Sequence, residues 1–202
     1  KPLGLPPPME NRWIKAATLL PPTLKVCGKR LLPFCLRHRV ALESINSPVL
    51  NPEAKVTPRD LLFAVRILST HDMTETRKPM SFKESYLLAL YSVNQAKFLS
   101  EILKLMTYFN AQSLWPRFWE ADNKSAPSSI PWPLVVIASL VRNGCSLAEA
   151  WSMPESEAVW LHIAHSKANG AKVEVVSDFE WDAMQKYRAE EAKNQKQPPS
   201  RN

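Results

Sequence analysis

The sequence predicts an all-α protein: a multi-helix bundle with a proline-rich extended N-terminal arm and a C-terminal helical hairpin. Three observations carry that prediction. Glycine is scarce, 4 residues against 18 prolines in a chain of 202, which leaves few positive-φ positions for tight hairpins, phosphate-cradling loops or a many-stranded sheet. Three capping boxes, Ser81-Phe82-Lys83-Glu84, Ser146-Leu147-Ala148-Glu149 and Ser177-Asp178-Phe179-Glu180, each set a hydroxyl three residues before a glutamate, the reciprocal arrangement that satisfies free amides at a helix start. Between them the apolar residues recur at helical spacing. The composition, 45% hydrophobic and 22% charged, is globular, and wholesale disorder is excluded.

Residues 1–33 hold seven prolines, including Pro6-Pro7-Pro8 and Pro21-Pro22. Proline has no amide donor and a fixed φ, so this arm is expected to be extended, with at most a short helix at Asn11–Leu20. Its net charge of +5 is combined with Trp13, Ile14, Leu19 and Leu20. A solvated linker has no use for such anchors, so the arm is expected to dock on the body or a neighbour, and its deletion to leave a folded body.

Residues 34–110 read as a helical domain. Phe34, Leu36, Val40, Leu42 and Ile45 mark a short helix stopped by Asn46-Ser47-Pro48. Thr57-Pro58 starts another, a hydroxyl cap followed by proline at the first helical position, running to about Ser69. The box at Ser81 opens the longest predicted helix, about Phe82 to Phe109, whose apolar residues cover more than one stripe and imply burial on two sides. Residues 111–133, rich in proline and tryptophan, read as a loop or linker. Residues 134–193 form the C-terminal subdomain: an apolar helix from Pro133 to Arg142, a short capped helix to Met153, and a helix from Pro154 to Asn169-Gly170. A possible extended segment at Lys172–Val176 and an amphipathic helix to about Lys193 complete it. Residues 194–202 are a polar tail.

The charge is uneven. Residues 1–50 carry eight Lys/Arg against Glu10 and Glu43, a net +6 of the total +7. Such a segment suits an acidic partner surface, a nucleic-acid backbone or a membrane face, and charge alone does not choose among them; without interleaved aromatics it is weak evidence for nucleic acid. Cys27, Cys35 and Cys145 lack CxxC spacing and read as buried thiols of a reducing compartment. The first eight residues hold no signal-peptide core, and the stretch Leu134 to Val141 is far too short to span a membrane. The chain is expected to be soluble and intracellular and, lacking an initiator methionine, to be processed or trimmed.

No catalytic motif is present: neither GxSxG, nor a Cys/His nucleophile signature, nor a phosphate loop. No cofactor is expected. His162 and His165 share a helix face at i, i+3 but lack a third ligand, so chelation is expected to leave the melting temperature unchanged. His38 and His71 have no partner in sequence. The segment Gly144 to Gly170 has the outline of a helix-turn-helix, yet its second helix opens on Pro154-Glu155-Ser156-Glu157, two carboxylates where a DNA reader faces phosphates. A structural helical hairpin is the better reading. Trp115, Trp119, Trp132, Trp151 and Trp160, with the arm anchors, are the candidate interaction residues; packing explains them first, an aromatic interface second.

The stretch Pro131-Trp132-Pro133 through Ser177-Asp178, centred on Gly144-Cys145-Ser146-Leu147-Ala148-Glu149-Ala150-Trp151-Ser152-Met153-Pro154, resembles small helical proteins of bacteriophage tail-gene clusters. It is similar in outline to tail assembly chaperones. The resemblance implies a non-enzymatic assembly protein of the host cytoplasm that shields apolar surfaces of tail-tube or tape-measure proteins before they polymerise. A virion structural adaptor is the alternative, located in the particle, and a DNA-binding regulator the second alternative. Self-association is possible in either structural reading, and no membrane partner is implied.

Overall fold

Nine helices, α1 to α9, dominate the computed structural model among the described residues, which are 11–18, 24–51, 53–118, 130–173 and 175–195. Two small antiparallel sheets accompany them, each of two short strands. The mostly helical class predicted from the sequence is therefore observed.

Helix α1 (Asn11–Thr18) lies where the arm was expected to allow one. Strands β1 (Lys25–Val26) and β2 (Lys29–Arg30) then form a hairpin, which the sequence reading did not contain. Its two central residues, Cys27 and Gly28, both have positive φ, 52° and 76°, the backbone that matches the right-handed twist of a two-residue hairpin. A side chain is seldom placed there, so Cys27-Gly28 carries little of the turn signal that Asn-Gly does. The Cys27 amide donates to Glu101 Oε2 at 2.6 Å, tying the turn to the helix that contains Glu101.

Helix α2 (Leu36–Ser44) and helix α3 (Pro58–Leu68) follow. Thr57 caps α3, and Asp60 completes a fourth capping box, its carboxylate accepting from the Thr57 amide at 2.9 Å. The long helix expected from Phe82 to Phe109 is instead two, α4 (Phe82–Val93) and α5 (Gln95–Gln112). Asn94 divides them: its ψ of 85° is not helical, and its side chain accepts from the Lys97 amide at 3.0 Å as the cap of α5. Periodicity could not reveal the break, because asparagine interrupts no apolar pattern.

Strand β3 (Arg117–Phe118), helix α6 (Trp132–Arg142), helix α7 (Leu147–Ser152) and helix α8 (Glu155–Ala168) continue the chain. Strand β4 (Val175–Val176), inside the anticipated extended segment, pairs with β3, and helix α9 (Asp178–Gln195) ends the description. Gly144 and Gly170 have φ of 100° and 86° and close α6 and α8. In each case the residue after the glycine donates back to the last helical turn, Cys145 to Leu140 O and Ala171 to Ser166 O, as a left-handed C-terminal stop requires.

Two apolar cores meet at α2. The first gathers Val26, Leu31, Leu42, Leu61, Leu68, Tyr91, Leu105 and Tyr108. The second gathers Leu36, Val136, Ile137, Leu140, Ala150 and Ala158. Helices α7 and α8 each pack on α6, so the C-terminal part is a three-helix cluster with α6 at its centre.

The first core also redraws the arm. Val26 and Leu31 are buried, and the Leu32 amide donates to Leu68 O at 2.8 Å. Deleting residues 1–33 would strip these contacts, so the folded body expected from that truncation does not follow. Leu31→Ala is expected to cost about 2–5 kcal/mol, as for buried leucines elsewhere, read from a urea midpoint. A loss below about 1 kcal/mol would show that residues 24–33 are dispensable.

Candidate functional site: an aromatic junction, an apolar stripe and a thiol–imidazole cavity

The junction between the two cores is built around Arg39 of α2. Its guanidinium lies 5.2–5.4 Å from the ring centroids of Phe34, Trp115 and Trp132 and grips both carboxylate oxygens of Glu155 at the start of α8. Trp115 Nε1 donates to the same carboxylate at 3.2 Å, and Trp115 meets Trp132 edge-on at 5.0 Å. Burial pushes the Glu155 carboxyl upward, against the pull of Arg39 and Trp115. The Glu155 amide donates to Phe34 O at 2.7 Å, and Ser156 Oγ donates to Gln112 O. Trp160 Nε1 donates to Leu114 O at 2.7 Å. Trp115 and Trp160 thus serve the internal junction through indole N–H groups that find acceptors there, and Trp132 through its ring alone, while staying partly exposed.

The other candidates divide. Trp151 lines a cavity described below. Helix α1 packs on α8 and Arg12 donates to Trp115 O at 3.1 Å, while Trp13 remains 45% exposed and Ile14 is also exposed. The arm's helix therefore meets the body, but not through Trp13 as its buried anchor. Leu19, Leu20 and Trp119 lie outside the described residues.

Helices α4 and α5, where burial on two sides was expected, carry strongly exposed apolar residues, and α6 adds Leu134, Val135 and Val141, each less exposed. Phe82 is 91% exposed, Tyr86 61% and Val93 84%. At 100° per residue these three positions fall within about 40° of one another, on the side of α4 opposite the buried Glu84 and Tyr91 edge. On α5, Leu99 and Leu103 follow at i, i+4, Leu103 being 67% exposed. The correction has a simple cause: α4 and α5 lie on the rim of the first core, and no other described element covers their outer face.

A cavity of about 710 Å³ opens between α2, α3 and the 3-10 turn Met73–Arg77, lined among others by Arg37, Ala41, Phe63, Ile67, His71 and Trp151. Behind its wall Cys35, His38 and His71 come together, their ligand-capable atoms all within 4.8 Å of one another. Cys35 is the N-cap of α2 and His38 sits in its first turn; both are fully buried. His71 follows the end of α3, its ring nearly parallel to that of His38 with centroids 5.3 Å apart. His38 Nε2 lies 2.9 Å from Thr70 O. A carbonyl only accepts, so Nε2 carries the proton and Nδ1 keeps its lone pair. Burial holds His38 down to about 4, and burial with the Arg37 charge lowers His71, so both rings are neutral near pH 7. Burial also raises the Cys35 thiol. Cys35 and His38 stand at i, i+3 in the sequence, but nothing along the chain announces His71 as their neighbour.

His162 and His165 belong to no such group among the described residues; burial lowers His162, with His165 adding to the effect, and its Nδ1 has no hydrogen-bond partner. The cysteines are free thiols. Among the described residues no helix is long and apolar enough to cross a membrane. The fold and these surfaces define a helical protein with an outward apolar stripe on α4 and α5 and an internal thiol–imidazole cluster. No family model, curated protein or solved structure matches the chain.

Proposed function

We propose that the protein is a non-enzymatic assembly factor, of the tail assembly chaperone type, that covers an apolar segment of a tail component with the outer face of α4 and α5. The observation that carries this reading is the run Phe82, Tyr86, Val93, Leu99 and Leu103, exposed along two consecutive helices. Each large apolar side chain left in water forgoes roughly 1.5–3 kcal/mol relative to burial, and exposed apolar patches of this kind mark interaction surfaces. An amphipathic partner helix laid along the stripe recovers that energy. The partner class rests on the resemblance of the Pro131–Asp178 stretch to tail-cluster proteins.

The adaptor reading shares the stripe and differs in whether the protein stays in the particle; its presence in purified virions favours the adaptor. The DNA-binding reading has less support, because Glu155 and Ser156, at the start of α8, are buried in the junction with Arg39 and Gln112. A reading helix presents that first turn to the groove.

The test is co-expression with the tail-tube and tape-measure proteins of the same genome, followed by co-purification. The double variant Phe82→Asp/Val93→Asp is expected to lose binding at least tenfold, about 1.4 kcal/mol, while its far-ultraviolet circular dichroism stays helical. Undiminished binding by the double variant would remove the stripe from the function.

A further inference from the structure

We propose that Cys35, His38 and His71 bind one zinc ion, with the fourth coordination position open toward the cavity beside α2 and α3. The donor atoms already stand close to a coordination shell. Cys35 Sγ and His71 Nδ1 are 3.9 Å apart, whereas a tetrahedral zinc with ordinary Zn–S and Zn–N bonds sets that edge at about 3.6 Å. On that edge the closure is a few tenths of an ångström; the full set lies within 4.8 Å, and a turn of the His71 ring, which is only partly buried, draws it onto the ion.

His38 is held as a metal-ligating histidine is. Its Nε2–H is fixed on the Thr70 carbonyl, an outer contact that orients the ring and directs the Nδ1 lone pair toward the cluster. The group now opposing Nδ1 is the Cys35 amide at a long 3.4 Å, a weak contact that the ion displaces and that its bond to Nδ1 must outweigh. The frame is rigid on both sides. Cys35 bridges to Pro154 at the start of α8, and Arg37 Nη1 donates to His71 O at 2.9 Å.

One thiolate and two imidazoles select a borderline-soft ion over magnesium or calcium, which take oxygen shells. On binding, the Cys35 S–H proton leaves to solvent and the sulfur pair forms the Zn–S bond, leaving a local charge of +1. Arg37, Asp72 and Arg77 are the charged residues that line the cavity with His71. Of the three ligands His71 alone lines the cavity, so a water or a donor group of a cavity occupant completes the shell from that side. The site reverses the expectation, drawn from His162 and His165, that chelation leaves stability untouched.

The experiment titrates cobalt(II), then zinc, into the full chain after chelator treatment. Expected is a thiolate-to-cobalt charge-transfer band with tetrahedral visible bands, saturating at one equivalent and displaced by zinc but not magnesium. Zinc should raise the melting temperature and chelator reverse it. Cys35→Ser should lose the charge-transfer band. His71→Ala, at a partly exposed position that tolerates truncation, should weaken binding at least tenfold while keeping its helical spectrum, and His162→Ala/His165→Ala should bind as the parent does. Absence of the band, its survival in Cys35→Ser, or unchanged affinity in His71→Ala overturns the site and leaves a thiol–imidazole packing cluster. Because the readout is spectroscopic, its failure says nothing about the α4–α5 stripe.

Discussion

Replacing Arg39 by alanine is expected to destabilise the protein by about 3–5 kcal/mol, the cost of leaving a buried charge without its partner. The Glu155 side chain is 4% exposed, and its carboxylate loses both guanidinium contacts, keeping only the Trp115 indole. Three rings that now close on the guanidinium face a void as well, adding lost packing to lost charge. The fall should appear as a lower urea midpoint with an unchanged slope. The double variant Arg39→Met/Glu155→Met should recover much of it, because it removes the stranded charge along with its partner. If Arg39→Ala costs less than about 1 kcal/mol, the range of an exposed ion pair, the junction does not couple the two cores.

Arg66→Ala should be comparably damaging, and it carries a pH signature. Arg66 of α3 and Glu84 of α4 are both buried, with side chains 7% exposed, and pair at 2.5 Å. Glu84 also accepts from Lys29 Nζ at 3.0 Å and closes the capping box with Ser81. Burial opposes ionisation of Glu84, but the hydrogen bonds from Arg66, Ser81 and Lys29 outweigh it and hold the carboxyl well below the ordinary 4.5. A carboxyl with a depressed folded pKa binds fewer protons folded than unfolded. Its contribution is therefore complete above about 4.5 and is lost as pH falls toward the folded value. Glu84→Gln should lower stability at pH 7 and flatten the decline of the urea midpoint below about pH 4.5. An acid limb as steep as that of the parent would exclude Glu84 as a main contributor.

Most helix boundaries were legible along the chain because their causes are local. Thr57, Ser81, Ser146 and Ser177 each satisfy an amide three residues away, and Gly144 and Gly170 adopt the φ that ends a helix. Such interactions span one turn, so residue type and spacing suffice to find them. The Cys27-Gly28 hairpin escaped because a cysteine stands where asparagine or aspartate ordinarily marks such a turn, and the break at Asn94 because a single asparagine interrupts no apolar pattern.

The candidate sites were far less legible. The tryptophans were visible as a group, but composition cannot tell an indole that meets the Glu155 carboxylate from one that meets a partner. The stripe on α4 and α5 read as doubly buried because periodicity counts apolar residues without knowing which side the core lies on. His38 and His71 read as unpartnered because their nearness arises only when α2 and the segment after α3 are packed together. The sequence by itself determined the helical class, the capped helix starts, the glycine stops and the absence of a recognisable catalytic motif, all consequences of short-range bonding and composition. The tertiary structure alone decided that Val26, Cys27 and Leu31 join the core, that Arg39 is enclosed by three rings, that Phe82 and Val93 face outward, and that a thiol meets two imidazoles. Each of these joins residues distant in the chain or depends on which face the packing leaves uncovered.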